Sequence, residues 1–151
     1  MDLKEQIGLL YHSSPRTAWE SLRYLEGESE KSGVVYPWWD TFVELMEDEN
    51  SYRRSRGLRL IALNAKWDEE GRLDAVLPLC LAHIQDPKPI TARQCIRDLP
   101  LLAMARPDLI PTIRHALQNA DFSGYGDSML PLLLKDTAAA LKQLDGLEDK
   151  P

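Results

Sequence analysis

The chain has 151 residues, 44% of them apolar, and a formal net charge of −6. This size and composition suit one folded domain and exclude global disorder, a disulfide framework built on two cysteines, and a membrane-spanning run of about 20 apolar residues. The first residues are polar and acidic, unlike a secretory signal, so the sequence predicts a cytoplasmic protein with no membrane contact.

Apolar residues recur with helical periodicity along the chain, and no segment alternates like a strand. The pattern predicts eight helices. Ser14 and Pro15 predict the start of the second helix, and Ser51 is expected to cap the fourth. Pro100 is expected to kink the sixth helix or shift its last turn. In chain order the predicted helices cover residues 3–11, 15–30, 37–48, 51–67, 72–85, 89–105, 107–119 and 128–144.

The eight helices pair into four predicted hairpins. Three of the hairpins share one pattern, in which an apolar helix is followed by an aspartate, a polar turn and a second apolar helix. The aspartates are Asp48, Asp86 and Asp121, spaced 38 and 35 residues apart. Repetition at such a period is typical of helical repeat proteins. The predicted repeat domain covers residues 1–146, with hairpins at 1–33, 34–70, 71–106 and 107–146, and residues 147–151 form a frayed tail.

The third hairpin has a distinctive pattern of residues. It has a proline inside its first helix and an Asp-Pro pair at its turn, followed by an aliphatic residue, an alanine and an arginine, and Pro111 repeats the proline feature. The residues of this pattern are Pro78, Asp86, Pro87, Ile90, Ala92 and Arg93. With this pattern the third hairpin resembles a HEAT repeat.

The second hairpin lacks the first-helix proline. The fourth has glycines and Asp127 where the aliphatic and arginine pair belongs, and armadillo-type chains share such degenerate repeats. The resemblance implies an all-α fold, a right-handed α-α superhelix of four stacked antiparallel hairpins whose second helices line one face. The competing architecture is a compact helical bundle.

Arginines concentrate on the second helices of the middle hairpins. They could form a basic stripe that holds an acidic peptide or a phosphate backbone. The alternative is that Arg54 and Arg93 pair with turn aspartates while the others are solvated. The candidate partner-binding arginines are Arg53, Arg56, Arg93 and Arg97.

Two adjacent tryptophans, Trp38 and Trp39, are the candidate apolar anchors. Neighbouring side chains on a helix point about 100° apart, so both cannot face the same core. One of the two is therefore expected to be partly exposed, as binding anchors are. The alternative is that both wedge between the first two repeats.

Metal and catalytic motifs are sparse. Cys80, His83 and Cys95 could approach one another, but a structural zinc needs four ligands and His115 is the remaining soft candidate. The sequence predicts buried cysteines, no metal and no cofactor. It has no phosphate-binding glycine loop, no nucleophile elbow and no His-Glu-x-x-His pair, so no enzyme activity is predicted.

The leading functional prediction is a noncatalytic interaction module that binds a peptide or protein on the second-helix face. The alternative is a nucleic-acid-binding protein or a base-repair enzyme, since some HEAT-like proteins are alkylated-base glycosylases. Those stacks are longer and more basic, and an acidic chain is a poor general partner for phosphates. A third possibility is a subunit that caps a larger assembly. The partner's identity and the oligomeric state stay open.

Overall fold

A computed structural model describes residues 1–149 of the chain, and within that range the structure is all-α with no strand. About 76% of these described residues are helical. None of the helices in this range has both the length and the apolarity needed to cross a membrane. The eight helices are α1 (Leu3–Leu9), α2 (Pro15–Lys31), α3 (Trp39–Met46), α4 (Ser51–Asn64), α5 (Leu73–Ala82), α6 (Pro89–Ala105), α7 (Ile110–Gln118) and α8 (Leu130–Glu148).

The helices group into two compact units. The first unit spans Met1–Gly71 and the second begins at Arg72. Each unit contains two of the four predicted hairpins, and Gly71, at the boundary, has the left-handed φ of 73° that favours glycine. Within the first unit α1 packs on α2, α3 on α4, and α2 on α4. Within the second unit α7 packs on α8, and α6 packs on both α7 and α8. In each unit the two second helices are therefore neighbours.

Helix ends follow the sequence signals in one case and depart from them in two. Ser14 caps α2 as predicted, because its hydroxyl accepts the backbone N–H of Thr17 at 3.3 Å. The predicted Ser51 cap is wrong. Asn50 caps α4 instead, since its side-chain oxygen accepts the N–H groups of Tyr52 and Arg53 at 2.9 and 3.2 Å.

The C-terminal helix also differs from the prediction. Helix α8 begins at Leu130 and continues to Glu148, so it starts two residues later and ends four residues later than predicted. Arg114 on α7 pairs with Asp145, at 2.9 Å, and with Glu148. These two acidic residues lie three apart and share a helix face, so one arginine can hold the last turn. Residues 150 and 151 of the predicted tail lie outside the described residues.

The three repeated aspartates have the same local role. Asp48, Asp86 and Asp121 each accept the backbone N–H two residues ahead, at 2.8, 2.9 and 2.9 Å. Such an aspartate mimics a backbone turn and reverses the chain between two helices. The sequence repeat therefore corresponds to a repeated piece of local structure at the second, third and fourth hairpin turns.

The core of the first unit forms where α3 meets α4. Trp39, Phe42 and Leu45 are fully buried from α3, and Leu60 and Ile61 from α4. The two backbones come very close at Gly57. A Cβ built on that residue would lie 2.6 Å from the carbonyl oxygen of Phe42 and 2.7 Å from the amide nitrogen of Met46.

The core of the second unit forms between α6 and its neighbours. Cys95, Ile96 and Leu99 are buried from α6, and Leu133 and Ala140 are buried from α8. Helix α6 continues through Pro100, which is itself buried, and ends at Ala105.

Candidate functional site

A groove in the first unit lies between α2 and α4, the second helices of the first two hairpins. It has a volume of about 450 Å³. On α2 the lining residues recur at positions 15, 19 and 22, and on α4 at positions 52, 55 and 56. Both spacings place side chains on one helix face, which explains why they line a common groove. The lining residues are Pro15, Arg16, Trp19, Leu22, Tyr52, Ser55 and Arg56.

Two large aromatic side chains form the apolar part of the groove. Trp19 is 58% exposed and Tyr52 is 65% exposed. When a ligand covers aromatic surface that is open to water, the burial of that surface favours binding. Tryptophan and tyrosine are enriched among the residues that dominate binding. Together with Pro15 and Leu22 they form apolar walls of the groove, against which a ligand side chain can pack.

Arg56 supplies a positive charge at the inner side of the groove. The residue is only 9% exposed, and its Nη1 donates a hydrogen bond to the carbonyl oxygen of Leu10 at 2.8 Å. Among residues 1–149 it forms no ion pair. Burial, and secondarily the nearby Arg53, lower the pKa of Arg56 below the ordinary value for arginine. A guanidinium has five N–H donors, so most of the donors of Arg56 have no acceptor among residues 1–149.

Two further arginines of α2 lie at the rim. The guanidinium of Arg23 lies over the Trp19 ring, 5.6 Å from its centroid, in a cation–π contact. No carboxylate within the described residues pairs with Arg23. Arg16 pairs with Glu20 at 3.1 Å, but both side chains are more than half exposed, so the pair contributes little stability and can exchange partners.

The two predicted aromatic anchors have different positions. Trp39 is 1% exposed and its ring packs against that of Tyr36, with the centroids 5.4 Å apart. It belongs to the core, so the hypothesis that Trp39 anchors a partner at the surface is wrong for this structure. Trp38 is half-buried and does not line the groove.

The four predicted arginines are not equivalent. Arg56 lines the groove, whereas Arg53 is engaged by Asp48 at 3.4 Å and donates to the carbonyl oxygen of Tyr11 at 2.7 Å. Arg93 and Arg97 lie in the second unit. The alternative prediction, that Arg54 and Arg93 pair with turn aspartates, is wrong for Arg93.

Arg93 pairs at 2.6 Å with Asp136, which lies on α8 and not at a turn. Arg54 bonds turn carbonyls, those of Asp48 and Glu49, at 3.1 and 2.9 Å. Arg97 is exposed and donates to the carbonyl oxygen of Arg93 at 3.3 Å, with no ion pair among residues 1–149.

The cysteines and His83 serve local packing. Cys80 and Cys95 are both buried and free, as predicted, and the Cys95 thiol lies 3.3 Å from the carbonyl oxygen of Cys80. Burial raises the pKa of Cys80 to about 12 and that of Cys95 well above its ordinary value. His83 contacts the buried carboxylate of Asp86 at 2.8 Å. Across residues 1–149, no three metal-ligating side chains converge.

Trp19 and Tyr52 were not among the residues that the sequence predicted as anchors. A signal was available on α2, because Arg16, Glu20 and Arg23 lie three before, one after and four after Trp19 and define a solvent-facing side. An aromatic residue on such a face is expected to be exposed. Arg56 and Tyr52 lie opposite Trp19 because of the way in which α2 packs on α4. The periodicity of one helix does not predict that packing.

Comparison with known proteins adds no family assignment: no family model, no curated protein and no solved structure matches the chain.

Proposed function

We propose that this chain is a noncatalytic interaction module of the HEAT type and that a short peptide segment of a partner protein docks in the groove between α2 and α4. The observation that carries the proposal is the pairing of exposed Trp19 and Tyr52 across two neighbouring second helices. The repeated turn aspartates and the packing of second helices within each unit support the repeat assignment, in which second helices provide the binding face.

The size of the groove favours a short segment over a broad protein surface. A space of about 450 Å³ lies within the range of small-ligand sites and holds a few side chains. Two adjoining helices supply both walls, and α2 is held to α4 by Arg59, which pairs with Glu26 at 3.2 Å. A groove built on two packed helices needs little reordering of backbone on binding, which favours affinity.

Selection from a peptide display library with unbiased sequence composition tests the proposal. The wild-type chain is expected to enrich a related set of peptides. The double variant Trp19→Ala/Tyr52→Ala should bind them at least about tenfold more weakly, because each aromatic anchor contributes about 1–2 kcal/mol when covered.

The matched control changes two exposed apolar residues of the second unit, Ile90→Ala/Met104→Ala, which are 64% and 60% exposed. This variant removes comparable apolar surface and should retain binding. Circular dichroism establishes that both variants fold. No enrichment with the wild-type chain, or equal loss in the two double variants, contradicts the proposal.

A further inference from the structure

We infer that the groove selects an acidic segment, with an apolar side chain held between Trp19 and Tyr52 and flanking carboxylates held by Arg16 and Arg23 at the rim and by Arg56 inside the groove. This inference rests on the proposed function and adds the chemistry of the ligand. It is drawn from three features: a buried arginine without an ion-pair partner, an exposed arginine stacked on the aromatic wall, and the contrast between a groove lined by arginines and an acidic unit around it.

The first feature is Arg56. The Arg56 residue is only 9% exposed and its side chain donates to a single carbonyl, so its guanidinium is partly desolvated without a compensating anion. Folded proteins normally pair such charges. Because Arg56 lines the groove, its remaining donors can reach a ligand, and a carboxylate there makes charge-assisted bonds in a partly desolvated setting, where they are strongest.

The second feature is Arg23. Its contact with the Trp19 ring fixes the guanidinium beside the apolar wall, and no carboxylate of residues 1–149 occupies it. A ligand that covers the exposed part of Trp19 therefore brings its next residues toward Arg23. Arginine can stack on an aromatic ring and bind a carboxylate edge-on at the same time, because its donors lie in the plane of the guanidinium.

The third feature is the contrast in charge. Residues 1–71 carry 9 basic and 14 acidic side chains, yet the charged residues that line the groove are both arginines, Arg16 and Arg56. The groove is thus a local basic site on an acidic unit. A long polyanion such as a nucleic acid would meet repulsion outside the groove, whereas a short segment with two or three carboxylates would not. The charge distribution therefore favours a peptide.

The geometry of α2 predicts the spacing of the acidic residues. Arg16 and Arg23 are seven residues apart, or about 10 Å along a helix that rises about 1.5 Å per residue. An extended peptide advances about 3.3 Å per residue, so the two rim arginines match acidic side chains about three residues apart. The apolar side chain would fall between them, above Trp19 and Tyr52.

The test uses four fluorescein-labelled ten-residue peptides and the full chain. The first has two glutamates three residues apart with a central phenylalanine. The second replaces phenylalanine by serine, and the third and fourth replace both glutamates by glutamine or by lysine. Fluorescence polarisation at 50 and 150 mM NaCl is expected to rank the first peptide at least tenfold tighter than each of the others.

Arginine variants identify the groups that bind the carboxylates of the peptide. Arg56→Gln should weaken the first peptide by about 30-fold or more, as expected when one partner of a buried charge pair is removed. Arg23→Gln, at an exposed position that cannot compromise folding, should weaken it by about two- to fivefold. Neither change should affect the glutamine peptide. Lys142→Gln on α8 is the charge-matched control and should change nothing.

The outcomes separate the ligand chemistry from the proposed function. If groove-dependent peptides prefer neutral or basic sequences, the inference fails and the proposed function stands. If no peptide depends on Trp19 and Tyr52, the proposed function itself fails. A ten-nucleotide single-stranded oligonucleotide that competes for the groove with equal or higher affinity, and with steep salt dependence, would overturn the assignment to an acidic peptide.

Discussion

Gly57 provides the sharpest test of how the first unit is packed. Replacing Gly57 by alanine should normally stabilise a helix by up to about 1 kcal/mol. Here the added methyl group would meet backbone atoms of α3 at 2.6 and 2.7 Å and the Cβ of Leu45 at 2.8 Å. Backbone atoms cannot rotate away as a side chain can, so α3 and α4 must separate. Overpacking of this kind costs about 3 kcal/mol at the upper end of the usual range.

The two effects leave Gly57→Ala less stable than the wild type by about 2 kcal/mol. For a chain of this size that corresponds to a fall in Tm of about 4–8 °C. Gly27→Ala is the matched control, because Gly27 lies inside α2 and a Cβ there would meet nothing within 4 Å. It should raise Tm by about 1–4 °C. Thermal unfolding followed by circular dichroism measures both, and a Gly57→Ala protein as stable as the Gly27→Ala protein would refute the close approach of α3 and α4.

Three further predictions concern stability. Asn50→Ala should cost about 1 kcal/mol in urea unfolding, because two N–H groups of α4 lose their acceptor; an unchanged midpoint would contradict this cap. Asp136→Asn should lower the urea midpoint, because it removes the 2.6 Å ion pair with Arg93, and this loss should shrink at 0.5 M NaCl; an unchanged midpoint at low salt would argue against the pair.

The third prediction is a decline in stability above pH 9. The pKa of Cys80 is raised to about 12 and that of Cys95 also lies well above the ordinary 9.0, so the unfolded chain loses thiol protons that the folded chain keeps. The thiol contribution is complete below pH 9 and falls by up to about 1.4 kcal/mol per pH unit for each thiol. Urea unfolding between pH 8 and 11 should show this decline, and a Cys80→Ala/Cys95→Ala protein with the same slope would contradict it.

Local sequence rules predicted most of the secondary structure. The eight periodic apolar segments correspond to eight helices. An apolar stripe of helical period favours a helix that packs on a core, whichever element forms the other side of that core. The errors fall where tertiary contacts decide the outcome. Helix α8 continues four residues past its predicted end, where Arg114 of α7 pairs with Asp145 and Glu148. The cap of α4 is Asn50, one residue before the predicted Ser51. Both residue types are good N-caps, so the sequence alone does not distinguish between them.

The candidate site was less accessible from sequence. Trp38 and Trp39 attracted attention because they are adjacent, yet Trp39 fills the core and the groove uses Trp19. The burial of Arg56 could not be inferred either, since its acceptor, the carbonyl oxygen of Leu10, is 46 residues away in sequence. Periodicity identifies the face on which a residue lies, but the partner of that face depends on how helices pack.

Chemical-shift mapping tests the central claim most directly. The 17.2 kDa chain, labelled with ¹⁵N, is titrated with the glutamate–phenylalanine peptide. The account predicts that the largest shifts occur at the Trp19 indole N–H and at backbone amides of residues 16–23 and 51–57, and that they vanish in Trp19→Ala/Tyr52→Ala. Shifts of equal size centred on the second unit, or shifts that persist unchanged in the double variant, would contradict a peptide site between α2 and α4.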